Sequence, residues 1–531
     1  MASEPARRTR IDMTTNAHSA QQATTGRRVV VVGGGSAGCV MASRLSEDPS
    51  IDVVLVEAGP DYEDIDDPRA ANVRNAWGFG FTTHDWGYVS DDHIPESTNT
   101  PDFAMVEQGV LPVFAGKVTG GGSSVNATNA LQPTRRDMDR WVGLGATDWT
   151  WDEVLPYLQK IENDPIGGDR HGTEGYVPVH RWTADNGLRP FMQAFVDACA
   201  EQGHPVTADL NGESQLGAGP VPLNQQDGVR QSSAVTYLKA ARGRPNLTVR
   251  DDEQVDRVLF DGTRAIGIVL VSGEELLADE VVLSAGSIGS PAILMRSGVG
   301  PKDVLDGLGI DVVSALDGVG QKLGDHPLVY MTYEADAEAM GELLPPLQTM
   351  LVFSSGGADA ALEPDLHAIP FTLEPGSLII AVGLVRPYSM GSVSIRSRDP
   401  LEKPQILLNL MHHPDDLKRL VAGVAHVREI VASPSLEKYV GAELWPGPDV
   451  VDRGDISRAV LEAKNTYVHM VSTCSMGDAG LPWAVVGQDG SVHGTQGLRV
   501  VDASIMPVIP SVPTNFTTMM IAERCAALMR R

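Results

Sequence analysis

The sequence predicts an α/β fold (α+β overall) that begins with a parallel sheet. Three observations predict it: a β-branched run from Val29 to Val32, a glycine-rich turn directly after it, and a second apolar strand from Val53 to Val56. A continuous β-branched run is typical of a strand buried on both faces of a parallel sheet. Because the helical stretch Ala37–Leu45 lies between the two strands, residues 29–56 form a βαβ unit.

Length and charge exclude several classes of protein. The chain has 531 residues, and its 41 basic and 69 acidic residues leave a formal net charge of −28. At about 150 residues per domain, three or four units are expected, and one large enzyme of two interleaved domains fits equally well. A surface this acidic repels the phosphate backbone of nucleic acids. We therefore expect no nucleic-acid partner. The longest apolar run, Leu378–Val385, is shorter than the roughly 18 residues that cross a bilayer, so no transmembrane segment is predicted.

Cysteine spacing and the first residues bear on location. The four cysteines show no paired spacing, which argues against a disulfide framework or a zinc site and predicts a cytoplasmic protein without a metal. Residues 1–27 are polar, and no apolar segment follows their arginines. We therefore expect a disordered tail rather than a secretory signal, with Met13 as a second candidate for the first residue.

Further elements are predicted later in the chain. The apolar spacing between Asp415 and Val431 predicts an amphipathic helix. Ser290-Pro291 predicts the start of another helix, because proline suits the first helical turn. Short strands are predicted at Leu247–Val249, Val255–Leu259, Ala265–Val271 and Glu280–Leu283.

The glycine-rich turn Gly33-Gly34-Gly35-Ser36-Ala37-Gly38 fits G-x-G-x-x-G between a strand and a helix. In this motif Gly33 permits the tight turn, Gly35 lets a pyrophosphate approach the backbone, and Gly38 lets the helix lie close to the strand. Glu57 ends the second strand, where a carboxylate accepts hydrogen bonds from ribose hydroxyls. The sequence therefore predicts that a dinucleotide binds here.

The same letters contain a competing motif. Residues 34–38 also satisfy G-x-S-x-G, the nucleophile elbow of α/β hydrolases, with Ser36 as the nucleophile. That interpretation leaves Gly33 and Glu57 unexplained, and no H-G-G-G segment accompanies it. The hydrolase stays an alternative to the nucleotide-binding protein.

Three further segments, together with the turn, resemble the glucose–methanol–choline (GMC) family of flavin oxidoreductases. The first, residues 116–126, is similar to the family's glycine-rich flavin segment, except that Thr119 stands where an aliphatic residue is usual. The second, residues 286–300, is similar to its second signature. The third combines residues 467–477, 498–504 and 513–515, with Met470 and Ser472 where the family often has proline and glycine. Within the family, the chain is most similar to bacterial choline dehydrogenase and alcohol-oxidase-like members.

The resemblance implies the architecture. It implies a Rossmann-like FAD-binding domain interleaved with a substrate-binding cap domain built on an antiparallel sheet. The boundaries expected are 28–160, 221–324 and 466–531 for the FAD-binding domain, and 161–220 and 325–465 for the cap.

The resemblance also implies the chemistry. The chain is expected to oxidise an alcohol to an aldehyde or ketone by hydride transfer to flavin N5, with oxygen or another electron acceptor as second substrate. His469 stands at the catalytic-base position, and histidine suits a base that works near neutral pH. Asn515 stands at the family's His/Asn position, where its amide orients the alcohol. It is also expected to cap the final helix, and the two roles are compatible.

FAD is expected to be held without a covalent bond, because Val125 occupies the region where some members carry a linking histidine. A lyase with a structural flavin is a second alternative function within the fold. Besides Gly33, Gly35, Gly38 and Glu57, the expected contacts of the cofactor are Ser36, Ala37, Ala58, Val118, Gly121, Ser124, Val125, Asn126, Ala127, Val255, Ala285, Gly286, Asp502, Ala503, Asn515 and Thr517.

Overall fold

The computed structural model of the protein describes residues 26–64, 66–78, 82–92, 110–356 and 363–530. The expected tail therefore lies outside the described residues except for residues 26 and 27, and Arg27 already belongs to the first strand. In the described part of the chain, no helix is both long and apolar enough to cross a membrane.

A five-stranded parallel sheet forms around the first predicted strand. Val30 lies opposite Val54 on one side and Val281 on the other, which places the first strand in the centre of the sheet. Val29–Val32 are buried, as expected for a strand covered on both faces. The prediction of a parallel sheet with a first βαβ unit is confirmed. The strand order is Leu247–Arg250, Ile51–Val56, Arg27–Val32, Glu280–Leu283 and Leu498–Val500.

The first long helix, Ser36–Leu45, and the last helix, Asn515–Met529, belong to one hydrophobic core. Arg44 Nη2 lies 2.8 Å from the carboxylate of Glu523, which also accepts a 2.7 Å hydrogen bond from the hydroxyl of Tyr237. Glu523 and Tyr237 are buried, so this ion pair is shielded from water. The two ends of the described chain thus stabilise each other.

A large, mostly antiparallel sheet forms the second centre of the molecule. One face packs against helices Pro190–Glu201 and Pro414–Val431, the second of which confirms the helix predicted from Asp415. The other face presents Tyr330, Ala381 and Ile369, which lie side by side on three neighbouring strands. The strand order is Val440–Trp445, Pro327–Ala335, Ser377–Leu384, Leu366–Phe371, Thr349–Phe353 and Gly217–Pro220, and Asn465–Thr466 also pairs with Pro327–Ala335.

The helix predicted to start at Ser290 starts four residues earlier, at Gly286, and runs to Arg296. Pro291 therefore lies inside the helix, where its missing N–H leaves the carbonyl of Ser287 without its usual partner. The hydroxyl of Thr473 donates a 2.7 Å hydrogen bond to that carbonyl. A residue far away in the sequence thus satisfies the group that the proline leaves free.

Smaller elements complete the described fold. A three-stranded antiparallel sheet comprises Val255–Asp261, Arg264–Leu270 and Glu275–Leu277. Two-residue and three-residue strands pair as Tyr88–Val89 with Pro112–Val113, Glu162–Asn163 with Val177–Pro178, Gln225–Gln226 with Val229–Arg230, Val299–Gly300 with Ser314–Ala315, and Ser392–Ser394 with Gln405–Leu407. The other helices are Ala71–Arg74, Gly122–Val125, Arg135–Gly143, Trp151–Ile161, Lys239–Ala241, Lys302–Gly307, Ala337–Met340 and Arg453–Ala463, with one π-helical turn at Ala234–Leu238.

Candidate active site

One cavity of about 800 Å³ extends from the glycine-rich turn to His469 and Asn515. The fold therefore places the predicted nucleotide site and the predicted catalytic pair in one continuous cavity. The cofactor contacts predicted from the sequence that line this cavity are Gly33, Gly35, Ser36, Ala37, Glu57, Ala58, Gly121, Val125, Asn126, Ala127, Val255, Ala285, Gly286, Asp502, Ala503 and Asn515.

Four predicted contacts do not line the cavity. Ser124 turns into its own loop, where its hydroxyl donates to the carbonyl of Thr119, and Val118 is buried in an apolar cluster. Gly38 allows the helix to pack closely against the turn, because a Cβ at this position would lie 1.8 Å from the carbonyl oxygen of Gly33. Thr517 lies about 200° around its helix from Asn515 and is fully buried on the other side.

Thr518 takes the place that was predicted for Thr517. It lies three residues after Asn515, on the same face of the helix, and lines the cavity. The i, i+3 spacing would have identified it from the sequence, had Asn515 been placed as the first residue of the helix.

The glycine-rich turn has the geometry that a dinucleotide requires. Gly33 has φ +94°, and a Cβ on it would lie 2.6 Å from the carbonyl oxygen of Ser284. Gly121 approaches the same turn so closely that its Cβ would lie 2.8 Å from the Cα of Gly35. No side chain caps the helix that starts at Ser36, so the N–H groups of its first turn are available to an anion.

Glu57 joins the turn to the second strand of the sheet. Its two carboxylate oxygens accept hydrogen bonds of 2.8 Å from the backbone N–H groups of Gly34 and Gly59. Burial raises the pKa of this carboxyl above its usual range, and these N–H groups oppose the shift. Each oxygen keeps a further lone pair with which it can accept a ribose hydroxyl.

His469 is held by a group that the sequence analysis missed. Its backbone N–H donates a 2.8 Å hydrogen bond to Asp325 Oδ1, which also accepts one from the N–H of His326. The hydroxyl of Thr466 donates to the other oxygen of Asp325. Burial raises the pKa of Asp325 to about 6. No periodicity or motif marks Asp325-His326 in a single sequence, because their role depends on a contact across 144 residues.

The donors and acceptors around His326 determine the tautomer of His469. His326 Nε2 lies 3.0 Å from the carbonyl oxygen of Pro510, which can only accept, so Nε2 carries a proton. Burial holds the pKa of His326 well below its usual value, so the ring is neutral and its Nδ1 accepts. His469 Nδ1, 3.0 Å away, is therefore the donor. The lone pair of His469 remains on Nε2, and burial, reinforced by His367, lowers the pKa of this histidine to about 3.

The ring of Tyr467 supports His469 from one side. The two rings are stacked, with centroids 4.5 Å apart and planes 27° from parallel. A Cβ on Gly383 would lie 2.8 Å from the Tyr467 ring, so the absence of a side chain there leaves room for it. His469 is thus held by stacking as well as by hydrogen bonds.

Asn515 does not cap the final helix, contrary to the expectation from the sequence. The helix starts with Asn515 itself, and Thr514 occupies the cap position without a side-chain hydrogen bond. Both Asn515 side-chain atoms, Oδ1 and Nδ2, are buried and have no hydrogen-bond partner in the described part of the chain. An unpartnered amide is costly unless a ligand satisfies it. The chemistry of this amide suits an alcohol, and that of the uncapped helix start at Ser36 suits the diphosphate of FAD.

Outside the cavity, the structure brings Glu162, Asp164 and His171 together, with their side-chain ligand atoms within 4.8 Å of one another. Burial alone would lower the pKa of His171, but hydrogen bonds to Asp164, Asp209 and Glu162 outweigh it and raise this pKa to about 11. Arg181 adds a second cation, 2.7 Å from Asp164. The contacts among these described residues are those of a buried ion-pair network.

The elbow interpretation of Ser36 finds no support in the site. Ser36 opens a helix at the cavity, but no histidine in the described residues forms a hydrogen bond with its hydroxyl. A nucleophilic serine requires such a base.

Comparison with known proteins agrees with this geometry. Residues 28–328 and 387–522 match the two parts of the GMC oxidoreductase family. The chain is 36% identical to the oxygen-dependent choline dehydrogenase of Ectopseudomonas mendocina, over 94% of this chain and 93% of that protein. The corresponding protein of Escherichia coli strain HS is 35% identical, over 94% of this chain and 95% of that protein.

Solved structures show the same fold. Pyridoxine 4-oxidase from Mesorbium loti is 30% identical and superposes with a TM-score of 0.84, covering 95% of this chain and 99% of that chain. A fungal aryl-alcohol oxidase, at 22% identity and a TM-score of 0.78, covers 95% of this chain and 98% of that chain and shows the fold alone. The chain belongs to the GMC family of FAD-dependent oxidoreductases, which act on alcohols.

Proposed function

We propose that the protein oxidises an alcohol to an aldehyde or ketone, with His469 as the base and Asn515 as the group that orients the hydroxyl. The observation that carries this proposal is the hydrogen bond between His326 and Nδ1 of His469. It leaves Nε2 of His469 unprotonated in the same cavity as the dinucleotide turn. A neutral imidazole with a fixed tautomer is what general-base catalysis requires.

Each residue of the site has its own role in the proposed reaction. Nε2 of His469 accepts the hydroxyl proton, and the imidazolium that forms keeps its Nδ1–H bond to His326. The carboxylate of Asp325, bonded to the backbone of His469, stabilises that positive charge when it is ionised. The amide of Asn515 holds the substrate oxygen in position. FAD, when bound, supplies the acceptor for the hydrogen that leaves the carbon with its electron pair.

FAD is held without a covalent bond in this proposal. His469 is the single histidine among the described residues that line the cavity, and none of these residues is a cysteine. Val125, which lines the cavity, offers no atom for a linkage. Acid precipitation of the purified protein should leave the yellow colour in the supernatant, and colour that stays with the pellet would show a covalent bond.

Anaerobic mixing with a panel of alcohols tests the reaction. Bleaching of the flavin by an alcohol supports oxidation. A flavin that stays oxidised while a cyanohydrin is cleaved would support the lyase alternative, and hydrolysis of a chromogenic ester by a colourless protein would support the Ser36 alternative. Comparing oxygen with an electron-accepting dye then identifies the second substrate.

Domain boundaries and location belong to the same proposal. Residues 28–160, 221–324 and 466–531 form the FAD-binding domain, and 161–220 and 325–465 form the cap. In support, the strands of the parallel sheet fall in the first set except for Arg27, and the large antiparallel sheet falls in the second except for Thr466. A cytoplasmic location is supported by four buried cysteines that are all free.

A further inference from the structure

The half of the cavity around His469 has a wall formed by the large antiparallel sheet. Tyr330, Ala381 and Ile369 form one row across three strands. Leu328 and Phe371 lie two residues from this row on their strands and therefore face the same side. All five side chains line the cavity. Apart from the hydroxyl of Tyr330, this wall is apolar.

Four carboxylates of the described residues line the cavity: Glu57, Glu253, Glu402 and Asp502. Glu57 accepts from the glycine-rich turn, and Asp502 accepts from the N–H of Gly286 at 2.9 Å. The N–H of Glu253 donates to the carbonyl of Glu57, which places it beside the same turn. Glu402 follows Pro400, whose carbonyl accepts from Gln254, the neighbour of Glu253. Both oxygens of Asp502 also accept from hydroxyls, those of Ser290 and Ser504. Asp325, beside His469, does not line the cavity, and its oxygens accept from the N–H groups of His326 and His469 and from the hydroxyl of Thr466.

Three aromatic residues that line the cavity, Tyr467, Tyr330 and Phe371, do not form a cage for a cation. A cation–π contact requires a cation over the face of a ring. One side of the Tyr467 ring faces the backbone of Gly383 and the other is stacked on His469. Tyr330 and Phe371 meet edge to face, with centroids 6.3 Å apart, so they do not form parallel walls around one group.

The end of the cavity that opens to solvent, beyond the wall formed by the antiparallel sheet, is also apolar. A second, smaller cavity adjoins it, and Trp77, Pro346 and Leu373 line both. Trp77 is 36% exposed and Leu373 is 44% exposed, so the passage opens to solvent between large apolar side chains. Glu342 also lines the outer cavity, but it is exposed and thus solvated. An exposed carboxylate attracts a cation only weakly.

From these observations we infer that the substrate is an uncharged alcohol with an apolar body, which enters between Trp77 and Leu373 and lies against the row Tyr330–Ala381–Ile369. This inference rests on the proposed function. It separates the protein from the choline dehydrogenases to which it is similar. Asp325 does not line the cavity and Asp502 is hydrogen-bonded through both oxygens, so a quaternary ammonium buried here would lack a direct carboxylate partner among the described residues. Such burial is strongly unfavourable.

A pair of alcohols of the same shape tests the inference. Choline and 3,3-dimethylbutan-1-ol differ only in whether a nitrogen cation or a carbon atom carries the three methyl groups. Anaerobic stopped-flow reduction of the holoenzyme should give a kcat/KM at least about a hundredfold higher for the neutral alcohol. Equal values, or a preference for choline, would overturn the inference and leave the proposed function standing. No reduction by either alcohol or by the wider panel would overturn both.

Variants of Ala381 locate the discrimination. Ala381 is the smallest side chain of the row, so Ala381→Asp places a carboxylate on the wall with little added volume. This variant should lower kcat/KM for 3,3-dimethylbutan-1-ol and raise the relative value for choline at least about tenfold. Ala381→Asn has the same shape without the charge and should not favour choline. An equal response of the two variants would contradict the assignment of the wall.

Variants of Leu373 test the entrance. Leu373→Glu should raise KM for the neutral alcohol and leave kcat unchanged, because the side chain lies at the passage and not at His469. Leu373→Gln is the matched control without charge and should raise KM less. A wild-type KM in Leu373→Glu would show that the substrate enters elsewhere.

Discussion

The Nδ1 atoms of His326 and His469 lie 3.0 Å apart, so one ring must accept the hydrogen bond that the other donates. Because His326 is tied through Nε2 to the carbonyl of Pro510, it is the acceptor, and the lone pair of His469 stays on Nε2. His326 is thus a positioning residue for the base.

The first prediction concerns this contact. His326→Ala should slow flavin reduction by about ten- to a hundredfold, the equivalent of about 1–3 kcal/mol for a lost buried hydrogen bond. His326→Asn keeps an oxygen near the position of Nδ1 that can accept from His469, and it should recover much of the rate. Anaerobic stopped-flow bleaching measures both variants. If the Asn and Ala variants were equally slow, the tautomer assignment would be wrong.

Removal of the base should have the largest effect. His469→Ala should retain FAD yet slow flavin reduction by roughly 10²–10⁴-fold, the usual contribution of general-base catalysis. Asn515→Ala should slow it less, because the proton acceptor remains. His412→Ala, at an exposed histidine, is the control and should match the wild type. Wild-type flavin reduction by His469→Ala would contradict the mechanism.

The pH dependence should belong to Asp325 rather than to His469. A histidine with a pKa of about 3 is already neutral throughout the range above pH 5, so its own titration does not appear in that range. The ordinary histidine pKa of roughly 6.5 expected from the sequence alone does not apply to so buried a ring. Asp325, with a raised pKa of about 6, is protonated below that pH and then no longer stabilises the imidazolium.

The rate of flavin reduction should therefore rise as the pH increases through about 6. Asp325→Asn should remove this rise and give the lower rate at all pH values, because its amide oxygen still accepts from both backbone N–H groups but carries no charge. A rise that persists in Asp325→Asn would assign the titration to another group.

Glu57→Gln should weaken the retention of FAD by about tenfold or more. The glutamine amide is uncharged, so its hydrogen bonds to the ribose hydroxyls are weaker. Its NH₂ group also faces one of the two backbone N–H groups that donate to Glu57 in the wild type. A charge-assisted hydrogen bond contributes roughly 1.5–3 kcal/mol, which corresponds to that factor or more. Fluorescence of released flavin upon dilution measures the affinity. Exposed Glu63→Gln is the control, and equal affinities of the two variants would argue against the role of Glu57.

Local patterns predicted the parts of the fold that depend on neighbouring residues. The apolar run at Val29–Val32 and the spacing from Asp415 to Val431 predicted a central strand and a helix to within two residues, because burial sets both patterns directly. The helix at Gly286 was placed four residues too late, since the hydroxyl of Thr473 compensates for Pro291 inside it.

The site was predicted unevenly for the same reason. His469 and Asn515 were identified by resemblance, and the structure places both in the cavity. Asp325 and His326 were missed because their function exists only after the chain has folded back on the segment 465–469. The burial that lowers the pKa of His469 is likewise a property of the assembled core.

The packing of the first helix against the last has a consequence for biosynthesis. The glycine-rich turn leaves the ribosome long before Asn515 and Glu523, the partner of Arg44, have been made. The strand Leu498–Val500, which completes the parallel sheet, also comes late. The cofactor pocket is therefore complete only after residues 498–515 have been made. We expect FAD to load only after this segment has left the ribosome, and nascent chains that end before residue 498 to bind none.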